Sequence, residues 1–535
     1  MNKQFYVLSV LSAAMLLAAC EGDDGTNGTN GTNGVDGSDG ADGFNSLIAI
    51  RDIPKGDAVC LGGGRAADSG LDTNRNDVLD AEEVTATEIL ECEATPTVRA
   101  LHAVPDAPAV NIFVNDALAL PVVDYAVGSG FVPVIEENNV RVEAIIPGAD
   151  DLAVIDEDYS LPYSTETTLI AVGTVGGGIT ALPITNASDS RITDGSFRAQ
   201  VVHAAPSAPA VDVYVTAFDA DLAASAPVTG AGTPLAFGEN TPQLEVTAGD
   251  YQIRVTGAGA PAAVVYDSGE ISLAAGADLM LVAVENTGPG DNLVQLVVLD
   301  GAAASILNDT NTPASVVAAH LSPDAPAVDI LADDNSTGAV ENIALTRNVS
   351  FPAACELSAV PAGDYTISIA ANADNNVVPL TFPLVLDQGS EATAIVSGFL
   401  SGNDPAITAL PLAGNTRSVA TETKLRITHG SPSTGNVDLY LVPANTDISM
   451  MDPSIADVPF GASTMQMSIG SGIYDAIVTP AGTKTFAITL EDLDFTVGGA
   501  VLDVIARDPA TDGSEGTAPL AFVIDYATVA ACPAP

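Results

Sequence analysis

The sequence has no tryptophan, only 5% aromatic residues, and 16 lysines and arginines against 69 acidic residues. Each shortage excludes something. Few rings leave little for the aromatic platforms that sugar sites use, and they suit short strands with small side chains better than large ligand-lined cavities. The formal charge of -53 repels nucleic acid and anionic headgroups, so neither is expected as a partner. With four histidines and five cysteines in 535 residues, material for metal or nucleophilic sites is scarce. There is no G-x-S-x-G elbow, no H-E-x-x-H and no phosphate-binding glycine loop, so an enzyme is not expected.

What is present begins with a leader. Lys3 precedes an apolar run from Phe5 to Ala19, too short to span a bilayer comfortably and laid out like a signal peptide, residues 1–19. The run ends in Leu17-Ala18-Ala19-Cys20, which resembles a bacterial lipobox. The resemblance implies that Cys20 is lipidated and becomes the first mature residue. It also implies, with Glu21 following, carriage to an outer membrane and a membrane contact made through the lipid. From Gly22 to Gly43 every third residue is glycine, the collagen period, but without proline. Residues 20–45 therefore read as a flexible tether or, alternatively, as a short trimerising segment, which leaves monomer and trimer both open.

Residues 46–95 form a small cysteine-flanked module. Within it, D-T-N-R-N-D-V-L-D-A-E-E matches the twelve-position calcium loop, with oxygens at Asp72, Asn74, Asn76 and Asp80, a carbonyl at Val78 and a closing acid at Glu83. Asp77 stands where that pattern wants glycine, and no helix leads in, so one Ca2+ site and a plain acidic turn both remain open. The stretch resembles the calcium-loop modules found beside collagen-like runs in bacterial surface lipoproteins. Export leads to an oxidising compartment, so Cys60 and Cys92 are expected to be bonded, which stabilises the fold by about 3–4 kcal/mol. Cys355 and Cys532 are available to pair across a much longer separation.

The histidines expose a repeat. His102, His203, His320 and His429 are each followed after three residues by Pro105, Pro206, Pro323 or Pro432. Nine residues after each histidine stands Asn111, Asp212, Asp329 or Asp438, inside runs such as V-D-V-Y-V that alternate as half-buried strands do. The copies occupy 98–190, 197–305, 314–415 and 423–535, the size of β-sandwich domains. Later in the copy, A-G-D-Y around Tyr251 and Tyr365 and S-G-I-Y at Tyr474 mark a second strand; copy one lacks the tyrosine, with P-G-A-D around Gly148 assigned to this place. The fold class expected is all-β: tandem antiparallel immunoglobulin-like sandwiches behind a small disulfide and calcium-loop module.

The phrase H-x-x-P-D-A-P-x-V-D-V-Y-V resembles the signature of a bacterial family known as domain of unknown function 4397. That resemblance implies an immunoglobulin-like sandwich, often carried on lipoproteins, and brings no activity with it. If each histidine segment is a hairpin, His102 faces Asn111, His203 faces Asp212, His320 faces Asp329 and His429 faces Asp438. Each imidazole would then donate to the acid or amide opposite and pin the proline-rich turn. The function expected is a lipid-anchored envelope protein presenting sandwich domains to a protein or glycan partner; the alternative is a passive spacer without a specific ligand.

Overall fold

The computed structural model describes residues 42–535 apart from 189–190, 231, 339–340 and 403. Cys20, the expected leader and nearly all of the glycine-every-third run lie outside the described residues. The chain divides into two compact units. The smaller holds all but the end residues of a three-stranded sheet, Asn45–Ile53, Gly64–Asp72 and Val84–Cys92 in that order. The larger holds Ile53–Gly64 and all of Glu91–Pro535, hence all four copies. Among the described residues there is no α-helix, only single-turn 3₁₀ segments at Leu222–Ala224 and Ile448–Met450. The all-β class expected from the sequence holds.

Each copy is two sheets face to face. In copy three the first sheet runs Ala353–Val360, Ala314–His320, Glu391–Ser397, Thr408–Ala413, and the second runs Ile343–Val349, Val328–Asp334, Gly363–Ala371, Leu380–Leu386. Copies one and four repeat this order, while copy two divides its strands five and three. One pairing in every copy is parallel: the histidine strand lies beside a strand that arrives much later, as His320 lies beside Val396. A parallel neighbour needs a long crossover, and here the whole second sheet supplies it.

The histidine strand is buried on both faces, which explains why its sequence runs Val-Val-Ala-Ala instead of alternating. In Ala314–His320, Val316 and Ala318 point into the sandwich of copy three. Val317 and Ala319 point the other way and pack against Ile505 and Ile524 of copy four. Copies one and two meet in the same manner, with Leu101, Ile170 and Val172 against Val202, Val282 and Leu299. Fully burying a Leu, Ile or Val contributes roughly 1.5–3 kcal/mol, so each seam is a second core shared by two domains.

A buried polar cluster fixes one seam. Arg426 and Asp503, both almost wholly buried, form an ion pair, with Arg426 Nε 2.9 Å from Asp503 Oδ1. Arg426 Nη2 also donates to Thr393 Oγ1 of copy three at 2.9 Å, and the Tyr526 hydroxyl donates to Asp503 Oδ2 at 2.8 Å. The segment joining copies three and four reaches copy one: Arg417 donates to the carbonyls of Pro105 and Ala107 at 3.1 and 2.9 Å and pairs with Asp124.

Candidate functional site

The histidine and the proline loop after it form the most regular polar site. The loop does not turn back as a hairpin. It crosses from one sheet to the other, because the histidine strand belongs to the first sheet and the Asn or Asp strand to the second. The expected pairs of His102 with Asn111, His203 with Asp212, His320 with Asp329 and His429 with Asp438 are therefore not formed. Instead, each Nε2 lies 3.0–3.1 Å from the carbonyl six residues on, at Pro108, Pro209, Pro326 and Gly435. A proline loop leaves carbonyls without ladder partners, and the ring meets one of them.

The other ring nitrogen completes the clamp. Nδ1 accepts from the backbone N–H of Val104, Ala205 and Ser431 in copies one, two and four; His320 Nδ1 has no such partner. A carbonyl only accepts and an N–H only donates, so the partners fix the neutral Nε2–H tautomer. Burial holds all four rings below the ordinary imidazole pKa of 6.5. An aromatic edge meets each ring at 6.2–6.3 Å between centroids: Tyr125, Phe237, Phe351 and Phe460. These rings are part of the repeated unit and were missed in the sequence. Along the chain they follow the histidine by the same interval in copies three and four but by different ones in copies one and two, so no register common to all four marks them.

The Asn or Asp of each copy does a separate job on the second sheet. Asn111, Asp329 and Asp438 accept the N–H of Val122, Asn348 and Asp457, residues held at φ of 50°, 58° and 55°. That left-handed kink turns an N–H out of the ladder, and the Asx side chain receives it. Asp212 instead accepts from Gly259 N at 2.7 Å. Asp106 and Asp324, the Asp of the D-A-P phrase, tie the loops at Val175 and at Leu400–Ser401. In copy four Asp508 reaches back from that loop to Ser433, replacing the missing acid.

In the smaller unit, the loop from Asp72 to Glu83 brings its acids and amides around one turn. Asp72 accepts from the N–H of Asn76 and Asp77, and Glu83 Oε1 accepts from Thr73 and Asn74. Asp80 receives the amides of Asn74 and Asn76 at 2.8 and 3.0 Å, and Asp77 takes the φ of 59° that the pattern reserves for glycine. Hydrogen bonding by the Thr73 hydroxyl is the main influence holding the Glu83 carboxyl below its usual range. Val78 is exposed. Among the described residues no three acid, histidine or cysteine groups stand as a ready metal cluster. Both cysteine pairs are bonded, Cys60 to Cys92 and Cys355 to Cys532.

Comparison with known families settles what the repeated unit is. The family described as domain of unknown function (DUF4397) matches over residues 96–214, 221–331 and 314–440, well over half of the chain. The chain belongs to this family. Two of the DUF4397 matches run from one copy's histidine strand to the next copy's V-D-V-Y-V-type strand, at Tyr214 and Tyr440, and the middle one ends on such a strand at Leu331. The DUF4397 matches cover only the first two strands of copy four, yet that copy keeps the sheet order of copy three. Residues 45–90 match a second domain of unknown function (DUF7151), over the three-stranded sheet and its acidic loop. No curated protein matches the chain.

Proposed function

We propose that the chain is a lipid-anchored cell-envelope protein that presents its DUF4397 sandwiches for non-catalytic interaction, as adhesion or ligand capture at the surface. The observation that carries this reading is the use made of the histidines. All four are buried and engaged by loops of their own copy, so none is placed to shuttle protons for a substrate. The leader, Cys20 and the glycine-rich run support an anchor and a spacer ahead of the folded units. The acidic surface argues for a protein or glycan partner over nucleic acid.

The test has two arms. Radiolabelled palmitate fed to producing cells is expected to label the chain and to fail with Cys20→Ser. External protease on intact cells is expected to remove the four copies. If protease cuts only after lysis, surface capture is wrong and the passive spacer becomes the better account. We further propose that the Asp72–Glu83 loop takes one Ca2+, supported by its spacing and by the conformation of Asp77. Calorimetry should then show one Ca2+ bound per chain, and none with Glu83→Gln.

A further inference from the structure

The four copies share one architecture but not one interior. Between the sheets of copy one lies a cavity of about 280 Å³, lined by Val98, Val110, Ile112, Val140, Leu169 and Ala181 among others. A second cavity of about 210 Å³ adjoins it, sharing His102, Val110, Val142 and Ala171 as a common wall. The corresponding interiors of copies three and four hold only about 30 and 20 Å³.

The difference has named causes. Copy three fills its centre with Tyr365 and Phe382, copy four with Phe495 and Tyr474, and copy two with the wholly buried Tyr266, whereas copy one has a single ring, the partly buried Tyr159, against its core. Strand register shows what copy one has instead. Val328 pairs with Ala371 as Val110 pairs with Ala144, so Tyr365 corresponds to Asn138 and Ile367 to Val140. Phe382, opposite Ile367, corresponds to Glu157, opposite Val140. The tyrosine is thus replaced by Asn138, and not by the turn at Gly148. Asn138 Nδ2 donates to the Ile135 carbonyl at 2.7 Å, as the Tyr365 hydroxyl donates to the Pro361 carbonyl, without supplying a ring.

One edge of the sandwich is irregular: Ala126, Ser129 and Val134 bond to the chain on or beside the histidine strand, but regular ladder pairing is short. The first sheet of copy one ends in a strand of two residues, Val132–Pro133, where copy three has the eight of Ala353–Val360. Leu120, Ser129 and Val132 line the cavity at this side, and Val132 is 43% exposed.

We propose that copy one binds a linear alkyl chain between its two sheets, admitted past Val132. The walls are almost wholly aliphatic, so they offer dispersion contact and few groups that require a hydrogen bond. An apolar cavity of about 150 Å³ already takes up benzene or xenon, and this one is larger. Two adjoining cavities that share wall residues suit an extended chain better than a compact ring. The proposal names a ligand for one copy and stands whether or not the protein is anchored at a surface.

The test uses the full chain carrying Cys20→Ser, so that no acyl group of its own competes, and dodecanoic acid labelled with ¹³C at its methyl carbon. One molecule per chain is expected to bind, with a shifted methyl resonance, and dodecane is expected to displace it. Ala171→Leu with Ala181→Leu should weaken binding at least tenfold while the melting temperature holds or rises. If that pair fails to fold, Val132→Trp at the irregular edge serves instead, with the same loss expected. Competition by phosphatidylcholine vesicles would identify a lipid acyl chain as the source; its absence would leave the free chain. No saturable binding, or equal binding by the filled variants, overturns the proposal, and the protease result on intact cells bears on the surface role separately.

Discussion

A neutral imidazole can accept on one nitrogen and donate on the other, and in copies one, two and four it does both within its own loop. Protonation would set a ring N–H against the N–H of Val104, Ala205 or Ser431. The lowered folded pKa favours the neutral form, so the contribution to stability is complete above the unfolded value near 6.5. It fades as pH falls from there toward the folded pKa. Ring-proton NMR across pH 4–8 is therefore expected to show all four histidines titrating below 6.5; a ring titrating above it would mean an acid partner or an exposed site. Replacing the ring tests the same clamp by another route. His320→Ala leaves the Pro326 carbonyl unmet beside Phe351 and should cost about 2–3 kcal/mol in chemical denaturation. Unchanged stability with loss of a bound ligand would show that the residue serves recognition instead.

At the level of strands, alternation in V-D-V-Y-V made the second-sheet strand legible, and the fourfold register of His and Pro marked four strands that each begin a first sheet. Which strands pair was not legible. The parallel partner of the histidine strand lies in a distant part of the copy, as Val396 does from His320, and no local pattern announces it. The proline phrase looked like a hairpin because turn residues separate two apolar runs. A turn between two sheets has the same composition, and burial on both faces of the first strand distinguishes them only after folding. The Asx position was legible but its partner was not, since the kinked residue it serves sits on a neighbouring strand. In copy four Asp438 accepts from Asp457 N and Gly482 N, both at 2.8 Å. Asp438→Ala should lower stability by about 2–4 kcal/mol, two charge-assisted bonds being lost. Asp438→Asn should recover part of it, because the amide keeps an accepting oxygen. Equal losses in the two variants would point to packing instead of the hydrogen bonds.

Across the larger unit, domains that share a seam should not unfold as independent beads. Sheets buried on both faces couple copy one to copy two and copy three to copy four, and the second coupling contains an ion pair whose surroundings come from both domains. Taking Arg426 and Asp503 out of water is costly, and the pair offsets that cost only while the Thr393 and Tyr526 hydroxyls complete its bonds. Removing one partner leaves the other charge buried. Asp503→Ala alone should therefore destabilise by about 3–5 kcal/mol, and Arg426→Leu alone by a similar amount. The double variant should lose much less than the two losses added together. The measurement is a double-mutant cycle in guanidinium, followed by probes placed separately in copies three and four. In the parent chain those probes are expected to report one shared transition, and in Asp503→Ala two. Additive losses, or two transitions already present in the parent, would mean that the seam only places the domains side by side.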